Sequence, residues 1–158
     1  MCSNSSADRP ARRLLAAAFA TLRDEAPAHH GLLCDALAEL TVHIVADGEH
    51  LAPRPTVAGL AVAEPRGAAA VTIRAGLATV LALLEARRTL VDAIARGELD
   101  VWGSADALDA AADAFATFLH GMVRAPSSAG LVDELRRCVA QRGAEQGADQ
   151  GADQGDRS

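Results

Sequence analysis

The sequence has no tyrosine and no lysine, and aromatic residues make up only 3% of its 158 positions. Half of the residues are hydrophobic, so the apolar share consists mostly of alanine, leucine and valine, with small side chains that let helices pack closely. Every basic residue is arginine, and acidic residues outnumber them to give a formal net charge of −6. This balance, together with the absence of a basic run, argues against a nucleic-acid-binding protein.

Cysteine pairs and long apolar runs are also missing. Cys2, Cys34 and Cys138 are odd in number and have no paired spacing, which excludes a disulfide framework, a zinc ligand set and a C-x-x-C redox pair. We therefore expect reduced thiols and a cytoplasmic protein. No apolar run approaches the ~20 residues that span a bilayer, so we expect no stable membrane insertion.

The segment RPARRLLAAAFATL near the start has arginines ahead of a short apolar stretch, as secretory signals do. However, Leu15, Phe19 and Leu22 recur at helical spacing, and charged residues follow them directly. This pattern favours an amphipathic helix over about residues 9–25.

The chain divides into three zones. Residues 1–8 are short and polar, and we expect them to be disordered. Residues 143–158, GAEQGADQGADQGDRS, repeat a Gly-Ala-acid-Gln unit that has no bulky apolar group to bury, so we expect a disordered acidic tail. Residues 9–142 between them are predicted to form a single domain.

Helical patterns flank a central β region in this domain. Pro27 and Gly31 are expected to interrupt the first helix, with a second helical piece near residues 32–40. The segment LTVHIVADGEHL predicts a strand, a D-G turn and a returning strand. The other predicted elements are a strand in AAAVTIRAG and helices in LATVLALLEARR, in 105–123 and near 129–140. Strands cluster before most helices, which indicates an α+β fold with helices on one face of a mainly antiparallel sheet.

Residues 88–108 are predicted to close one helix, run a short strand and open another helix. Thr89 and Ser104 are each placed to cap a helix N-terminus, and the alternation of residues 99–102 suits a half-buried strand. The side chains expected to form the buried stripe of the first helix are Leu90, Val91 and Ile94.

A short predicted helix of the type T-L-x-x-A-I-x-x-G is followed by a strand that ends in glycine and by a long helix. The residues that form this pattern are Thr89, Leu90, Ala93, Ile94, Gly97, Leu99, Val101 and Gly103. With the strand and helix that precede it, this order resembles the sterol carrier protein two family over about residues 40–123. The resemblance implies a curved sheet of about five strands, covered by helices and enclosing an apolar tunnel for fatty acyl chains, sterols or similar ligands.

Apolar side chains of the long helix are candidates to line such a tunnel, because methionine and aromatic residues adapt to apolar ligands. The same stripe also suits an ordinary core. Trp102 alternates with Val101 and either borders a cavity or caps the sheet. The candidate lining residues are Trp102, Leu108, Phe115, Phe118, Leu119 and Met122.

Groups that could carry catalysis are isolated in the sequence. Asp109 and Asp113 are four residues apart, a spacing typical of a solvated helix face. Cys34 has no evident basic partner to activate it. No G-x-S-x-G, Walker or G-x-G-x-x-G element occurs in a strand–helix context. We therefore predict a non-enzymatic protein with no catalytic residues, no cofactor and no metal.

Two functions stay open at this point. The first is a carrier or sink that binds an apolar lipid-like ligand in an internal tunnel. The second is a scaffold whose core is filled and which acts as a protein-interaction or homodimerisation module. The family resemblance favours the first, and the heavy use of alanine favours the second because small side chains leave less space inside.

Overall fold

The structure, a computed structural model, describes residues 9–152, with side chains through Gly147. Both the predicted disordered N-terminus, residues 1–8, and the end of the predicted tail, residues 153–158, lie outside the described residues. The elements in chain order are α1 (Pro10–Glu25), α2 (Pro27–Glu39), β1 (Val42–Ala46), β2 (Glu49–Thr56), β3 (Gly59–Ala63), β4 (Val71–Ala75), α3 (Leu77–Leu84), α4 (Leu90–Ala95), β5 (Leu99–Gly103), α5 (Ala105–Arg124) and α6 (Ser128–Ala152).

The five strands form one sheet in the order β3-β2-β1-β4-β5. Three of the strand pairs are antiparallel, and the central β1–β4 pair is parallel. The predicted α+β class with a mainly antiparallel five-stranded sheet is therefore confirmed. None of the helices within residues 9–152 is both long and apolar enough to cross a membrane.

The D-G turn between β1 and β2 forms as the sequence predicts. Asp47 and Gly48 have φ angles of 48° and 83°, the left-handed pair that a two-residue hairpin turn requires and that Asp-Gly tolerates. The Asp47 carboxylate also accepts a hydrogen bond from the backbone N–H of Leu77 at 3.1 Å. The turn therefore satisfies one of the free donors at the start of α3.

The expectation that Pro27 and Gly31 interrupt the helical region is wrong in detail. Pro27 is the first residue of α2, a position where proline loses no helical hydrogen bond. Gly31 lies within α2, and a side chain built there would meet no atom within 4 Å. The second helix therefore starts five residues earlier than the prediction.

The joint over residues 88–108 has its predicted caps. The Thr89 hydroxyl accepts the N–H of Asp92 at 3.1 Å, and the Ser104 hydroxyl accepts the N–H of Ala107 at 3.3 Å. The predicted buried stripe of α4 is wrong, however, because Ala93 is the buried residue of this helix. Ala93 packs with its small side chain against Ala75 and Leu99, and the larger side chains that were expected inside are exposed: Leu90, Val91 and Ile94.

The last helix is longer than the predicted 129–140. It runs from Ser128 to Ala152 and so includes residues 143–152 of the segment in which we expected disorder. Alanine, glutamate and glutamine are good helix formers, and extending an existing helix avoids the cost of nucleation.

Candidate functional site

The interior between the helices and the sheet is divided into three groups of buried side chains. Group 1 lies between α1, α2, α5 and the sheet and contains Phe19, Leu22, Ala26, Leu33, Leu37, Leu40, Val42, Val71 and Ala114. Group 2 lies between α1, α3, α6 and the sheet and contains Ala11, Ala46, Leu51, Leu77, Leu81 and Leu135. Group 3 contains Ala75, Ala93 and Leu99.

A row of three side chains in the middle of the sheet is only half-buried. Ile44, Ile73 and Val101 pair with one another across β1, β4 and β5. Strand alternation turns them to the same face as Val42 and Val71, which are fully buried. The helices therefore cover this row less completely than they cover Val42 and Val71. We name the region between this row and the helices the cleft, with Ile44, Ile73 and Val101 as its floor.

The cleft lies where the three buried groups meet. Ile44 packs against groups 1 and 2, whereas Ile73 and Val101 pack against groups 1 and 3. Val80 of α3 bridges groups 2 and 3, and Leu15 of α1 bridges groups 1 and 2. All five side chains are apolar and half-buried, so the cleft is bounded by hydrocarbon.

Helix α5 contributes a further apolar flank. Its buried residues, Ala114 and Gly121, pack on the α1 and α2 side, and Phe118 contacts Phe19 edge-to-face with ring centroids 6.2 Å apart. Beside this buried face, helical spacing aligns a second set at the same angle around the axis: Leu108, Phe115 and Leu119. Leu108 approaches β5 at Gly103, so the first turn of this flank lies beside the sheet.

The six candidate lining residues are therefore divided by the structure. Leu108, Phe118 and Met122 are half-buried against group 1. Phe115 is 45% exposed on the adjacent flank. Leu119, half-buried, lies one helical turn from Phe115. These five share the apolar side of α5.

Trp102 lies elsewhere, on the outer face of the sheet. It pairs with Thr72 and alternates with Val101, so it points away from the cleft. The Arg74 guanidinium carbon lies 5.3 Å from the centroid of its ring, a cation–π distance. We therefore remove Trp102 from the set of cleft-lining candidates.

The residues that bound the cleft offer no acid, base or nucleophile. Among the described side chains, none that is polar or charged is fully buried, and no three His, Cys, Asp or Glu side chains are grouped to hold a metal. Cys34 of α2 lies 3.8 Å from His30 Nδ1, but burial and then the charge of Asp35 raise the pKa of its thiol. The cleft can recognise a ligand by apolar contact and shape.

A cavity of about 380 Å³ opens at the end of the sheet where β1 begins. It is bounded by the end of α2, the ends of β1 and β2, and the loop before β4. Its charged lining residues are Arg54 and Arg66. Buried Val42 and Val71 lie between this end of the sheet and the cleft floor.

Sequence reasoning missed the cleft floor and the contribution of α1 and α3. Alternation in the strands shows that Ile44 and Ile73 face inward, but it does not show that they are half-buried. The signal that could have identified Ile44 and Ile73 as candidate site residues is their location at the middle of their strands.

No protein-family model matches the chain, and no curated protein matches it. Among solved structures it is similar to a "UbiJ-SCP2 Ubiquinone synthesis protein", at 21% identity and a TM-score of 0.49, over 69% of this chain and 89% of the other. It is also similar to sterol carrier protein 2 from Yarrowia lipolytica, at 12% identity and a TM-score of 0.38, over 74% and 88% of the two chains. A sec-alkylsulfatase from Pseudomonas sp. matches at 19% identity and a TM-score of 0.38, over 54% of this chain and 13% of its own.

Proteins described as sterol carriers are thus among the solved structures to which the chain is similar, in line with the resemblance that the sequence predicts.

Proposed function

We propose that this protein binds an apolar, lipid-like ligand, such as a fatty acyl chain or a sterol, in the cleft. The observation that carries the proposal is the half-buried row of Ile44, Ile73 and Val101 at the centre of the sheet. Proteins normally fill such a place with side chains. An apolar ligand that displaces water from these side chains lowers the free energy of the system, so its binding there is favourable.

The proposed ligand lies between this floor and the apolar side of α5. Phe115, Phe118 and Leu119 supply large contact areas, and Met122 adapts to irregular shapes. Leu108 closes the space toward β5. The proposed lining therefore keeps five of the six candidates and replaces Trp102 with the floor residues.

The proposed role is that of a cytoplasmic, non-enzymatic carrier or sink for the ligand. The residues that bound the cleft supply only apolar contacts, which bind a hydrocarbon without changing its covalent structure. This role needs no cofactor, metal, nucleic acid or stable membrane insertion.

Filling the cleft from its floor provides the test. Val101→Phe adds an aromatic ring beneath α5, whereas the matched control Val45→Phe adds the same ring on the outer face, where Val45 pairs with Arg74. A fluorescent fatty acid is titrated into each protein after delipidation, and thermal unfolding is followed on the same samples. Trp102 emission is a poor reporter, because its ring lies on the outer face.

Wild type and Val45→Phe are expected to bind and to gain stability with ligand, by about 2.7 kcal/mol at a hundredfold excess over Kd. Val101→Phe is expected to bind at least tenfold more weakly while it unfolds at a similar or higher temperature without ligand. If fatty acids, acyl-CoA and a sterol all leave wild type unchanged, the proposal fails. The alternative, a filled scaffold that acts in protein interaction or as a homodimer, is then favoured.

A further inference from the structure

The cavity at the start of β1 lies where two neighbouring strands separate. β1 pairs with β2 only as far as Ile44, which lies opposite Leu51. From Ala52 onward the residues of β2 pair with β3, whereas Val42 of β1 pairs with β4. The cavity opens between the separated strands, with Val42 on one side and residues 53–55 on the other.

Two prolines explain why β1 and β2 separate at this point. Pro53 and Pro55 both lie in β2, and proline has no N–H to donate to a neighbouring strand. Since β2 keeps its pairing with β3 at both prolines, the missing donors lie on the edge of β2 that faces β1. The opening is therefore built into the sheet by the sequence P-R-P, and we call it the PRP cavity.

The lining of the PRP cavity combines an apolar wall with two cations. Leu37 and Leu40 at the end of α2 are buried and form this wall together with Val42. Arg54 is half-buried and Arg66 is exposed, and no acidic residue lines the cavity. Its volume of about 380 Å³ falls within the range of about 300–1,000 Å³ that is typical of small-molecule sites.

The two arginines of the cavity have no partner within the protein as described. Most other arginines pair with carboxylates, as Arg9 and Arg12 do with Glu64 at 2.5 and 2.7 Å. Arg54 and Arg66 form no ion pair with a described side chain. Within residues 9–152 they also donate no hydrogen bond to a backbone carbonyl, although arginine often binds the carbonyls at a helix C-terminus such as that of α2. Their donors are therefore available to a ligand.

The charge balance around the cavity favours a doubly charged anion. Glu39 is the one acidic residue next in sequence to a lining residue. Even with its carboxylate and about half a negative charge from the C-terminus of α2, the two guanidinium groups leave the surroundings positive, in a chain whose net charge is −6. A phosphate monoester carries about −1.5 to −2 at pH 7 and accepts paired hydrogen bonds from guanidinium groups, whereas a carboxylate balances only one of the two.

We propose that the PRP cavity binds a small organic phosphate, a phosphate monoester whose organic part is apolar. The guanidinium groups of Arg54 and Arg66 donate hydrogen bonds to the phosphate, and the organic part packs against the apolar wall. Buried Val42 and Val71 separate the cavity from the cleft. The inference therefore does not depend on the proposed function.

The test titrates the full chain with phenyl phosphate, inorganic phosphate and benzoate, using calorimetry and the phosphorus NMR line width of the two phosphates. Arg54→Gln and Arg66→Gln each remove one charge and keep a polar side chain, and the fold is expected to persist because neither arginine has a partner to lose. Arg54→Lys keeps the charge without the paired donors. The matched control is Arg96→Gln, because Arg96 is also exposed and without a described ion-pair partner but does not line the cavity.

Phenyl phosphate is expected to bind wild type and Arg96→Gln saturably and with equal affinity. It is expected to bind Arg54→Gln and Arg66→Gln about tenfold more weakly, because each loses a charge-assisted hydrogen bond, and to bind Arg54→Lys with intermediate affinity. Inorganic phosphate, which has no apolar part, and benzoate, which has one charge, are both expected to bind wild type more weakly than phenyl phosphate does.

The proposal is overturned by a wild type that does not bind phenyl phosphate, or by Arg54→Gln and Arg66→Gln proteins that bind it as wild type does. An equal loss of affinity in Arg96→Gln would overturn it as well, since binding would then follow overall charge. Benzoate that binds as tightly as phenyl phosphate would assign the cavity to carboxylates instead. Saturating phenyl phosphate is expected to leave binding of the fluorescent fatty acid unchanged, and competition between them would contradict a separate site.

Discussion

Gly121 of α5 lies directly against the side chain of Leu22 of α1, so closely that a Cβ atom at Gly121 would overlap Leu22 and stand 2.9 Å from His29 Cβ. The absence of a side chain at this one position therefore sets how near α5 comes to α1 and α2. Because the proposed ligand lies against α5, the position of this helix is expected to affect ligand binding.

Gly121→Ala is expected to destabilise the protein by about 1–3 kcal/mol, the usual cost of overpacking a core. Gly143→Ala is the matched control, since Gly143 also lies in a helix but has open space around it. At this control position, replacing a helical glycine with alanine is expected to stabilise the protein by up to about 1 kcal/mol. Urea denaturation of both variants measures the two effects, and a stable Gly121→Ala protein would contradict the close packing of α5 on α1.

Glu85 predicts a pH dependence of stability. Hydrogen bonds from Arg136 and then Arg87 hold the pKa of this carboxyl below its usual value of 4.5. The folded state therefore binds a proton less readily than the unfolded state, so the stabilisation is present above pH 4.5 and is lost as the pH falls through the folded pKa.

Glu85→Gln is expected to be less stable than wild type at neutral pH and to approach wild type in acid. High salt is expected to narrow the neutral-pH difference, because the pair with Arg136 is solvent-exposed. Asp109→Asn is a suitable control, since Asp109 is exposed and forms no ion pair with a described side chain. A difference between Glu85→Gln and wild type that is constant across the pH range would contradict this origin.

Much of the fold follows from local patterns in the sequence. The amphipathic spacing of Leu15, Phe19 and Leu22 predicts α1 to within one residue of its start, and Asp47-Gly48 predicts the β1–β2 hairpin. Which residues of α4 are buried does not follow from the sequence, because periodicity identifies an apolar face without showing whether a neighbouring element covers it. In α4 the neighbours reach only Ala93, so the larger apolar side chains stay outside.

Only part of the candidate site can be predicted from the sequence. The apolar side of α5 can be recognised from helical spacing, and the alternation of Val101 with Trp102 shows which of them faces inward. The half-burial of Ile44 and Ile73 cannot be derived in this way. It depends on how closely the helices cover the middle of the sheet, which contacts between residues far apart in the sequence determine.

Cys34 provides a test of the non-enzymatic assignment. Burial, with a smaller contribution from Asp35, raises the pKa of its thiol above 9.0, so at neutral pH it is protonated and a weak nucleophile. Alkylation by iodoacetamide, followed by mass spectrometry of the Cys34 peptide, is expected to be slower than in an unstructured peptide. Asp35→Asn is expected to increase the rate modestly, since burial is the larger cause. Faster alkylation than in the peptide would indicate an activated thiol and contradict the assignment.

The contacts that fix α6 predict where the folded domain ends. Leu135 and Cys138 are buried, and Arg142 binds the Asp47 carboxylate at 2.8 Å. Through Asp47, Arg142 supports the turn that also accepts a hydrogen bond from the start of α3.

A chain that stops after Arg142 is therefore expected to unfold within a few degrees of the full chain's midpoint, because it keeps the contacts of α6 with the body. A chain that stops after Ser127 lacks Leu135 of group 2, so that Leu77 and Leu81 lose one of the side chains that cover them. It is expected to bind a hydrophobic dye and to aggregate on heating. Thermal unfolding with dye fluorescence distinguishes the two, and a chain ending at Ser127 that melts like the full chain would show that α6 does not stabilise the domain.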